Sequence, residues 1–599
     1  MKRIHYYIVC AISAVCGLSS CSDFLEIEPQ NEIILEKFWN EKADVDAILA
    51  GCYSGMQEGA VIKRMMVWGE FRSDNIGAGS NVQQDGSLEK LLKENIDAKN
   101  TYTDWKDFYT VINRCNTLIK YAPGVAAIDP AYTESELQAN IAEVVALRSL
   151  SYFYLIRAFR DVPFSRVAYI DDDQTMDLPA TKFDAVLDSL IDDLESVKGF
   201  AIKRYPVTKE LYQTGRITQD AIHALLCELY LWKKDYQNCI RYADLVIDSK
   251  KLIYEENRKK RTSSSALLSS NDVEERFNGF PLVSNSTSSN YFGDAYTTLF
   301  GSDPRNADEI NQEIIFQLIF DDDPQATGMP QNGAVNDFYG NSRATTGLVA
   351  PSDYIYAQIE ATGVDRKVFA EKNKMYDARI FTNCRYTGSG SGSSNKSINK
   401  YTTSSIDINA AGGTTPTASY GSKYSQNQNG SNWIIYRLPD IMLLKAEALT
   451  QLMRDGSDTD ASDYNKSLLD RAFTLVNAIN KRSICQTQLT DTLLRSNYSN
   501  KGDMESLVLQ ERQRELMFEG KRWFDLVRLA QRTGNTQTLK AAALQKATTG
   551  AGLISNHLSK MDAIYWPYNL DEMKVNLNLV QNPAFGSGED ESYQKTTKK

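Results

Sequence analysis

Residues 511–528 read ERQRELMFEGKRWFDLVR. Glu511, Glu515 and Glu519 are spaced four residues apart, so they lie on one face of a helix. The arginines interleaved with them are Arg512, Arg514, Arg522 and Arg528. Carboxylate pairs perform glycoside hydrolysis, but a neighbouring arginine lowers the pKa of a carboxyl group and makes it a poor general acid. The pattern therefore favours a helix held by structural ion pairs over a catalytic site.

Helical periodicity extends outward from this motif to both ends of the chain. The helices predicted from apolar spacing cover residues 136–159, 218–233, 235–247, 434–453, 464–481 and 507–533. Gly520 predicts a kink or break in the last of them, and Asp161-Val162-Pro163 ends the first because residues before proline avoid helical geometry. Arg148 lies on an apolar stripe, and a buried arginine needs a partner, so we expect a carboxylate beside it.

The helices at 218–233 and 235–247 are separated by a short turn, which is typical of a tetratricopeptide-type hairpin. The middle of the chain, residues 262–432, is rich in Gly, Ser, Asn and Thr and predicts few long helices. A strand is predicted at 313–320. The segments 387–395 and 402–432 are interpreted as long loops, which are usually functional or disordered.

The N-terminus has the pattern of an export signal. Lys2 and Arg3 precede an apolar run over residues 6–18, which is too short to span a membrane and is typical of a secretory signal. The run ends in Leu18-Ser19-Ser20-Cys21, which resembles the bacterial lipobox. We therefore predict a signal peptide over residues 1–20 and acylation of Cys21. Plain secretion with cleavage nearby is the alternative.

Charge and metal-ligand spacing exclude several classes of function. The formal net charge of −11 argues against nucleic-acid binding, which needs a basic face. Only His223 and His557 remain in the mature chain, so a histidine-based triad or zinc-protease site is hard to build. Asp321–Asp323 could supply calcium ligands, but we favour a solvated acidic turn. The sequence predicts no cofactor, no metal and no catalytic residue.

The other mature cysteines show no close pair, so zinc-site spacing is absent. They are Cys52, Cys115, Cys227, Cys239, Cys384 and Cys485. Most lie in helical patterns, and we expect those to be small buried apolar residues. The sequence leaves their disulfide state open, because an exported protein could oxidise some of them.

Several segments, in order along the mature chain, resemble the motifs of the SusD/RagB family of outer-membrane nutrient-binding lipoproteins. They cover residues 21–26, 38–53, 105–116, 148–163, 436–448, 511–528 and 566–583. The strongest match is 511–528. Residues 148–163 resemble the family's R-A-x-A-Y-F-x-L and F-G-D-V-P signature, with Arg160 in place of the usual Gly. This substitution leaves the local turn geometry open.

The resemblance implies a mostly α-helical, SusD-like fold: a scaffold of tetratricopeptide-like hairpins with long irregular ligand-binding loops and a few short strands. Residues 21–599 would form one domain, with the scaffold at about 30–260 and 433–599 and a loop-rich insert at about 262–432. The resemblance further implies a lipid-anchored protein on the outer surface of the outer membrane of Bacteroidetes-type bacteria. It would bind oligo- or polysaccharide without cleaving it and deliver it to a SusC-like TonB-dependent transporter.

Sugar recognition points to loop residues of particular types. Pyranose faces stack on aromatic rings, and planar polar side chains bridge neighbouring hydroxyls. The candidates, on three loops, are Arg72, Asp74, Asn75 and Asn81, then Tyr291, Phe292 and Tyr296, then Phe338 and Tyr339. Similar family members place ligand contacts in the first of these loops. If the aromatic residues are exposed, truncating Tyr291, Tyr296 and Tyr339 should abolish binding and leave the melting temperature nearly unchanged; packing within a loop is the competing interpretation.

Two other functions remain open at this point. One is a surface glycoside hydrolase with an unusual helical fold, which would release reducing sugar. The other is a peptide-binding protein, since some family members capture oligopeptides. The loop sequences do not distinguish a glycan from a peptide, and they do not identify the glycan.

Overall fold

A computed structural model describes most of the chain. The described residues are 38–171, 173–261, 277–284, 291–292, 294–300, 307–340, 347–355, 377–387, 395–403, 405–409, 417–421, 429–454, 461–484, 493–546 and 550–586. The predicted signal peptide, Cys21 and Cys485 lie outside these ranges.

Helices form most of the described chain. Those before the middle segment are α1 Lys42–Gln57, α2 Gly59–Met66, α3 Gly86–Leu92, α4 Lys106–Ile128, α5 Glu134–Phe159, α6 Phe183–Val197, α7 Tyr212–Gly215, α8 Gln219–Trp232 and α9 Tyr236–Arg261. Those of the middle segment are α10 Asp294–Phe300, α11 Ala307–Glu313, α12 Pro324–Thr327, α13 Gly333–Tyr339 and α14 Arg379–Asn383. Those after it are α15 Leu438–Gln451, α16 Ala461–Ser483, α17 Lys501–Leu516, α18 Arg522–Thr533, α19 Gln537–Gln545, α20 Ala551–His557 and α21 Leu570–Val575.

The long helices pack in pairs, which confirms the predicted helical hairpins. α4 packs against α5, α8 against α9, and α9 against α15. Between α8 and α9 the chain turns at Lys234, whose φ is 65°, and the N–H of Asp235 donates to the carbonyl of Tyr230 at 2.9 Å. This bond satisfies a carbonyl at the end of α8 that lacks a helical partner. The second helix continues to Arg261, beyond its predicted end at residue 247.

The predicted helix at 434–453 begins later than expected, because residues Trp433–Arg437 form a strand. Pro439 occupies the first turn of α15, where its missing N–H costs nothing. The predicted break at Gly520 is confirmed: α17 ends at Leu516 and α18 begins at Arg522. Gly520 has a φ of 72°, a left-handed conformation that glycine adopts without strain.

Short strands pair in small antiparallel sheets. The strands are β1 Ile76–Ala78, β2 Val162–Pro163, β3 Ala180–Thr181, β4 Tyr291–Phe292, β5 Ile314–Leu318, β6 Val349–Pro351, β7 Cys384–Thr387, β8 Asn395–Ile398, β9 Ile406–Asn409, β10 Thr417–Tyr420 and β11 Trp433–Arg437. The pairs are β1 with β6, β2 with β3, β5 with β11 and β7 with β8, and β9 lies between β4 and β10. The predicted strand at 313–320 is therefore confirmed as β5.

The prediction that residues 402–432 form one long loop is wrong for Ile406–Asn409 and Thr417–Tyr420, which are β9 and β10. Of the predicted loop at 387–395, only the two end residues are described, as the last of β7 and the first of β8. In β9, Ile406 and Ile408 are buried while Asp407 and Asn409 are exposed, which is the alternation of a half-buried strand. This period of two spans only four residues, and the surrounding Gly, Ser and Thr obscured it.

One hydrophobic core joins the helices on both sides of the middle segment. Its buried residues run from Trp39 through Trp433 to Leu579. The segments are also joined by backbone hydrogen bonds, such as the N–H of Trp566 to the carbonyl of Ala158 at 2.8 Å. In the described part of the chain, no helix combines the length and apolar character needed to cross a membrane.

Arg148 has the carboxylate partner that its position on the apolar stripe predicted. Its guanidinium donates to Asp193 at 2.8 Å and to the side-chain oxygen of Asn116 at 2.8 Å. Arg160, in place of the family's Gly, ends α5 with a φ of 70°. Its side chain binds Asp562 at 2.6 Å. The turn therefore keeps a glycine-like conformation, and the arginine gains an ion pair with the C-terminal region.

The prediction of buried cysteines is confirmed for those in the described residues. Cys52, Cys115, Cys227, Cys239 and Cys384 are buried. The sulfurs of Cys227 and Cys239 approach to 3.7 Å between α8 and α9. Burial raises the pKa of Cys227 well above its usual value, so the thiol stays protonated.

Candidate functional site

Five of the nine predicted ligand residues contact α17, α18 or the turn between them. The contacts are Arg72 with Trp523, Asp74 with Arg522, Asn75 with Gln513, Tyr296 with Glu515 and Tyr339 with Phe518. A sixth residue, Phe338, packs edge-on against Phe71. The structure therefore brings these candidates together, but on the inside of the protein.

Arg72 and Asp74 are buried in ion pairs. Asp74 accepts two hydrogen bonds from the Arg522 guanidinium, both at 2.9 Å. Arg72 binds Glu94 at 2.8 Å and donates to the carbonyls of Ala563 and Ile564 at 2.8 and 2.9 Å. The hydrogen-bonding groups of both side chains are engaged, because a buried charge must be paired to avoid a large desolvation cost.

Asn75 belongs to a polar cluster around the buried carboxylate of Glu70. Glu70 accepts from the backbone N–H groups of Phe518, Lys521 and Arg522, at 3.0, 3.0 and 3.2 Å. It also accepts from the Asn75 side-chain amide at 2.8 Å. These bonds cap the first turn of α18 and lock the Arg72–Asn75 segment to the C-terminal helices.

Tyr296, Phe338 and Tyr339 are also buried, so the prediction that they are exposed loop residues is wrong. The Tyr296 hydroxyl donates to Glu515 at 3.0 Å, and the Tyr339 hydroxyl donates to the carbonyl of Phe518 at 2.9 Å. Both tyrosines lie in short helices that close over the core. Truncating them would create cavities and leave buried polar groups unpaired, so we now expect the melting temperature to fall.

The same burial corrects the prediction for the first loop. Arg72, Asp74 and Asn75 are 0%, 3% and 0% exposed, which leaves no surface for a sugar to contact. These three side chains form a buried polar layer. The sequence pattern of charged and amide residues marked this layer because buried ion pairs restrict residue type as strongly as ligand contacts do.

Ligand contact by Asn81, Tyr291 and Phe292 stays a prediction. Asn81 is half-buried and lies just beyond β1. Tyr291 and Phe292 form β4, whose backbone pairs with Asn409 and Ile408 of β9.

The sequence analysis missed one aromatic residue near this layer, Tyr354, which is half-buried and lies just after β6. Burial, and then the negative charge of Asp74, raise its pKa. β6 pairs antiparallel with β1, with Pro351 opposite Ile76, so Tyr354 follows β6 at the end where β1 begins, whereas Asn81 follows β1 at the opposite end of the pair. Because that pairing joins residues far apart in the chain, spacing alone did not reveal it.

The glutamates of residues 511–528 form ion pairs, as the interleaved arginines predicted. Glu515 accepts from Arg437 at 2.6 Å and from Arg379 at 3.0 Å, and it also pairs with Arg482. Burial disfavours its charged form, but the guanidinium groups of Arg482, Arg437 and Arg379 hold the pKa of Glu515 well below its usual range. Glu515 therefore stays ionised and cannot donate a proton as a general acid would.

The neighbouring carboxylates are held in the same way. Glu511 accepts from Arg379 at 2.8 Å and from Arg514 at 2.6 Å. Burial opposes ionisation here too, but the charges of these arginines lower the pKa of Glu511. Glu519 accepts from Arg437 at 2.7 Å. All three carboxylates are buried, so the cluster is a structural element of the core.

The acidic run Asp321–Asp323 is engaged in local turn formation. The Asp321 carboxylate accepts from the N–H of Asp323 at 2.8 Å, and the Asp323 carboxylate accepts from the N–H of Ala326 at 3.2 Å. The second contact caps α12. Within the described ranges, no group of three or more His, Cys, Asp or Glu side chains is arranged to hold a metal ion.

A separate cleft of about 570 Å³ lies between α1, α5 and two connecting segments, residues 202–216 and 319–330. None of the nine predicted residues lines it. Its walls carry tyrosines together with charged and amide side chains. The sequence did not indicate this cleft, because its walls come from four distant parts of the chain.

Family models and curated relatives match this chain over most of its length. The model of the SusD family matches residues 312–585, and a model described as "Starch-binding associating with outer membrane" matches residues 23–231. SusD-like protein P38 of Formosa agariphila is 25% identical over 579 residues, which cover 95% of this chain and 96% of that protein. SusD-like protein P2 of the same organism is 21% identical and covers 87% and 90% of the two chains.

Solved structures show the same fold. A SusD homologue from Bacteroides thetaiotaomicron superposes with a TM-score of 0.64 at 15% identity, over 92% of this chain and 99% of that one. A laminarin-binding SusD-like protein superposes with a TM-score of 0.57 at 18% identity, over 91% of this chain and all of the other. Together, the family matches and the shared mostly α-helical fold show that this chain belongs to the SusD/RagB family.

Proposed function

We propose that this protein binds oligo- or polysaccharide at the cell surface and delivers it, without cleavage, to a SusC-like TonB-dependent transporter. The observation that carries the proposal is membership of the SusD/RagB family, which includes the match to the starch-binding, outer-membrane-associated model over residues 23–231. The fold shared with a laminarin-binding protein and with a putative sugar-binding protein from Bacteroides vulgatus is in keeping with a glycan ligand.

We place the glycan site on the surface supported by the buried layer of Arg72, Asp74 and Asn75. Tyr354 follows β6 at the end of the β1–β6 pair next to this layer, and Asn81 follows β1 at the opposite end, so the proposed surface runs along the pair. The ion pair of Asp74 with Arg522 holds the backbone just before β1. A preorganised surface loses less conformational entropy when a flexible sugar chain binds.

The state of the carboxylates in residues 511–528 weighs against the hydrolase alternative for this motif. Retaining and inverting glycosidases require one carboxyl group with a raised pKa that can protonate the leaving group. In residues 511–528 the arginines instead hold the pKa of Glu511 and Glu515 below the usual range. The acidic motif that suggested hydrolysis therefore gives that alternative no support.

Purified protein should bind a glycan and release no reducing sugar from it. A polysaccharide panel that includes laminarin and starch would first identify a ligand by affinity electrophoresis. The Asn81→Ala, Tyr354→Ala double variant should then weaken binding by about tenfold or more, because a stacking contact and a hydrogen bond are lost. The matched control is Leu553→Ala, which truncates a side chain that is 79% exposed on α20. Release of reducing sugar, or binding of peptides alone, would reject the proposal.

Surface anchoring and transporter association can be examined in one fractionation experiment. In cells that express the native transporter, the wild type should sediment with the outer membrane and co-purify with a transporter barrel after gentle extraction. Cys21→Ala should release the protein into the soluble fraction, because acylation supplies the membrane affinity. Cys16→Ala, which lies within the apolar run, is the matched control and should remain anchored. The anchor prediction fails if Cys21→Ala still sediments, and recovery of the wild type only as a monomer contradicts the partnership.

A further inference from the structure

The cleft between α1, α5 and residues 202–216 and 319–330, here named the α1–α5 cleft, has an aromatic wall. The rings of Tyr205 and Tyr212 meet edge to face with centroids 5.6 Å apart, and Tyr53 of α1 also lines the cleft. Tyr212 is 39% exposed. An exposed ring of this kind offers an apolar face on which the C–H groups of a pyranose can stack.

A buried carboxylate holds this wall in place. Glu143 of α5 is fully buried and accepts from the hydroxyls of Tyr53 and Tyr205, at 2.6 and 3.2 Å. It also accepts two hydrogen bonds from the Arg216 guanidinium, at 3.0 and 2.7 Å. Arg216 in turn lies 5.2 Å from the centroid of the Tyr212 ring. The rings of Tyr53 and Tyr205 are therefore held before any ligand arrives, which reduces the entropy lost on binding.

The charges of the α1–α5 cleft are balanced. Lys42 and Glu136 form an ion pair in its lining, and the Arg216 guanidinium is neutralised by the carboxylate beneath it. The remaining charged residues of the lining, Asp46 and Lys209, have opposite signs. An anionic polysaccharide or a nucleic acid would need an excess of positive charge. The lining thus favours a neutral ligand that carries hydroxyl groups.

The rest of the lining is mixed. Ser54, Gln57 and Asn140 are uncharged polar residues of the cleft, and apolar residues such as Leu49 and Ile202 line it as well. The volume of about 570 Å³ lies within the range of small-molecule sites and suits a short oligosaccharide segment. Apolar rings with a few convergent hydroxyl and amide groups are the combination that distinguishes sugar sites from purely apolar grooves.

We propose that the α1–α5 cleft is a second binding site for a neutral oligosaccharide, separate from the surface around Asn81 and Tyr354. The inference rests on the proposed function, since it assumes that the chain captures glycans. None of the residues proposed for the first site lines the cleft. Two sites on one protein would allow a polysaccharide chain to be held twice, which raises avidity if the chain can span both.

Calorimetric titration of the purified full chain with laminarin oligosaccharides and with maltooligosaccharides tests the second site. The wild type should show two sites per chain for the sugar that binds. Tyr212→Ala should weaken the cleft site by up to about tenfold, because one stacking contact is lost, and leave the other unchanged. Tyr212→Phe keeps the ring and should retain both sites. Phe200→Ala removes an aromatic side chain that is 54% exposed but does not line the cleft, and should also retain both.

Thermal melts of the same samples confirm that each variant is folded, which we expect because Tyr212 and Phe200 are both partly exposed. If Tyr212→Ala binds sugar with unchanged stoichiometry and affinity, the cleft is not a sugar site and the proposed function stands. If the wild type binds no glycan of the wider panel, the proposed function falls and the second site falls with it. Tyr212-dependent binding of a peptide in place of sugar would overturn the sugar assignment.

Discussion

Replacing Glu515 with Gln is expected to lower the free energy of unfolding by about 3–5 kcal/mol, the cost of removing one partner from a buried ion pair. The carboxylate is fully buried and receives the guanidinium groups of Arg379, Arg437 and Arg482. A neutral amide of the same shape leaves no cavity, so the effect isolates the charge. The loss would be measured as a lower denaturant midpoint with an unchanged slope.

The matched control is Asp571→Asn, which makes the same change in an exposed pair with Lys574 whose N–O distance is 2.7 Å. Surface pairs are screened by solvent, so this variant should unfold at the wild-type midpoint. Equal midpoints for Glu515→Gln and the wild type would show that the arginine cluster does not depend on this carboxylate.

The same contacts give the wild type a defined acid sensitivity. Although burial disfavours the charged form, the three arginines hold the pKa of Glu515 well below its unfolded value of 4.5. A group with a lowered folded pKa contributes its full stability above the unfolded pKa and loses it as the pH falls toward the folded value. Stability should therefore decrease below about pH 4.5, and the decrease should be shallower in Glu515→Gln.

Gly69→Ala is the second variant with a large expected effect. Gly69 lies in a π-helical turn over Val67–Phe71, and a Cβ there would meet the backbone oxygen of Gly520 at 1.9 Å and Phe524 at 3.1 Å. A backbone atom cannot rotate away, so the 517–521 turn must shift. We expect a loss of about 3 kcal/mol in the free energy of unfolding, at the upper end for overpacking of a core.

Gly124→Ala provides a control with the same chemical change and the opposite sign. Gly124 is exposed within α4, and a Cβ at that position would meet no atom within 4 Å. Alanine in a helix interior is favoured over glycine by about 0.5–1 kcal/mol, so this variant should unfold at a slightly higher denaturant concentration. If Gly69→Ala unfolded at the wild-type midpoint, the close contact with Gly520 would not constrain the fold.

Local pattern was sufficient for several of the long helices and for the break at Gly520. The period of 3.6 residues predicted α5, α8 and α9, and Gly520 predicted the separation of α17 from α18. The arginines interleaved with the glutamates of residues 511–528 predicted ion pairing. A neighbouring arginine lowers the pKa of a carboxyl group, which makes that group a poor general acid. These features depend on residues within a few positions of each other, and such short-range patterns can be read directly from a single sequence.

The ligand-site prediction assumed exposed side chains, and this assumption was wrong for six residues because tertiary packing buries them. Arg72, Asp74 and Asn75 have the composition of a sugar-binding loop, but α17, α18 and the 517–521 turn cover them. Tyr296 and Tyr339 donate their hydroxyls to the same C-terminal region. A polar or aromatic side chain satisfies a buried partner as well as it satisfies a ligand, so residue type alone did not separate the two roles.

The sequence by itself determined the family resemblance, the helical class, the export signal pattern and the pairing character of its charged motif. Only the tertiary structure decided which side chains are buried, how β1 pairs with β6, and that an aromatic cleft exists between α1 and α5. The physical reason is the separation along the chain between the residues that interact. Periodicity and capping act between near neighbours, whereas burial and cavities arise where segments hundreds of residues apart pack together, as residues 42–57 and 319–330 do around the cleft.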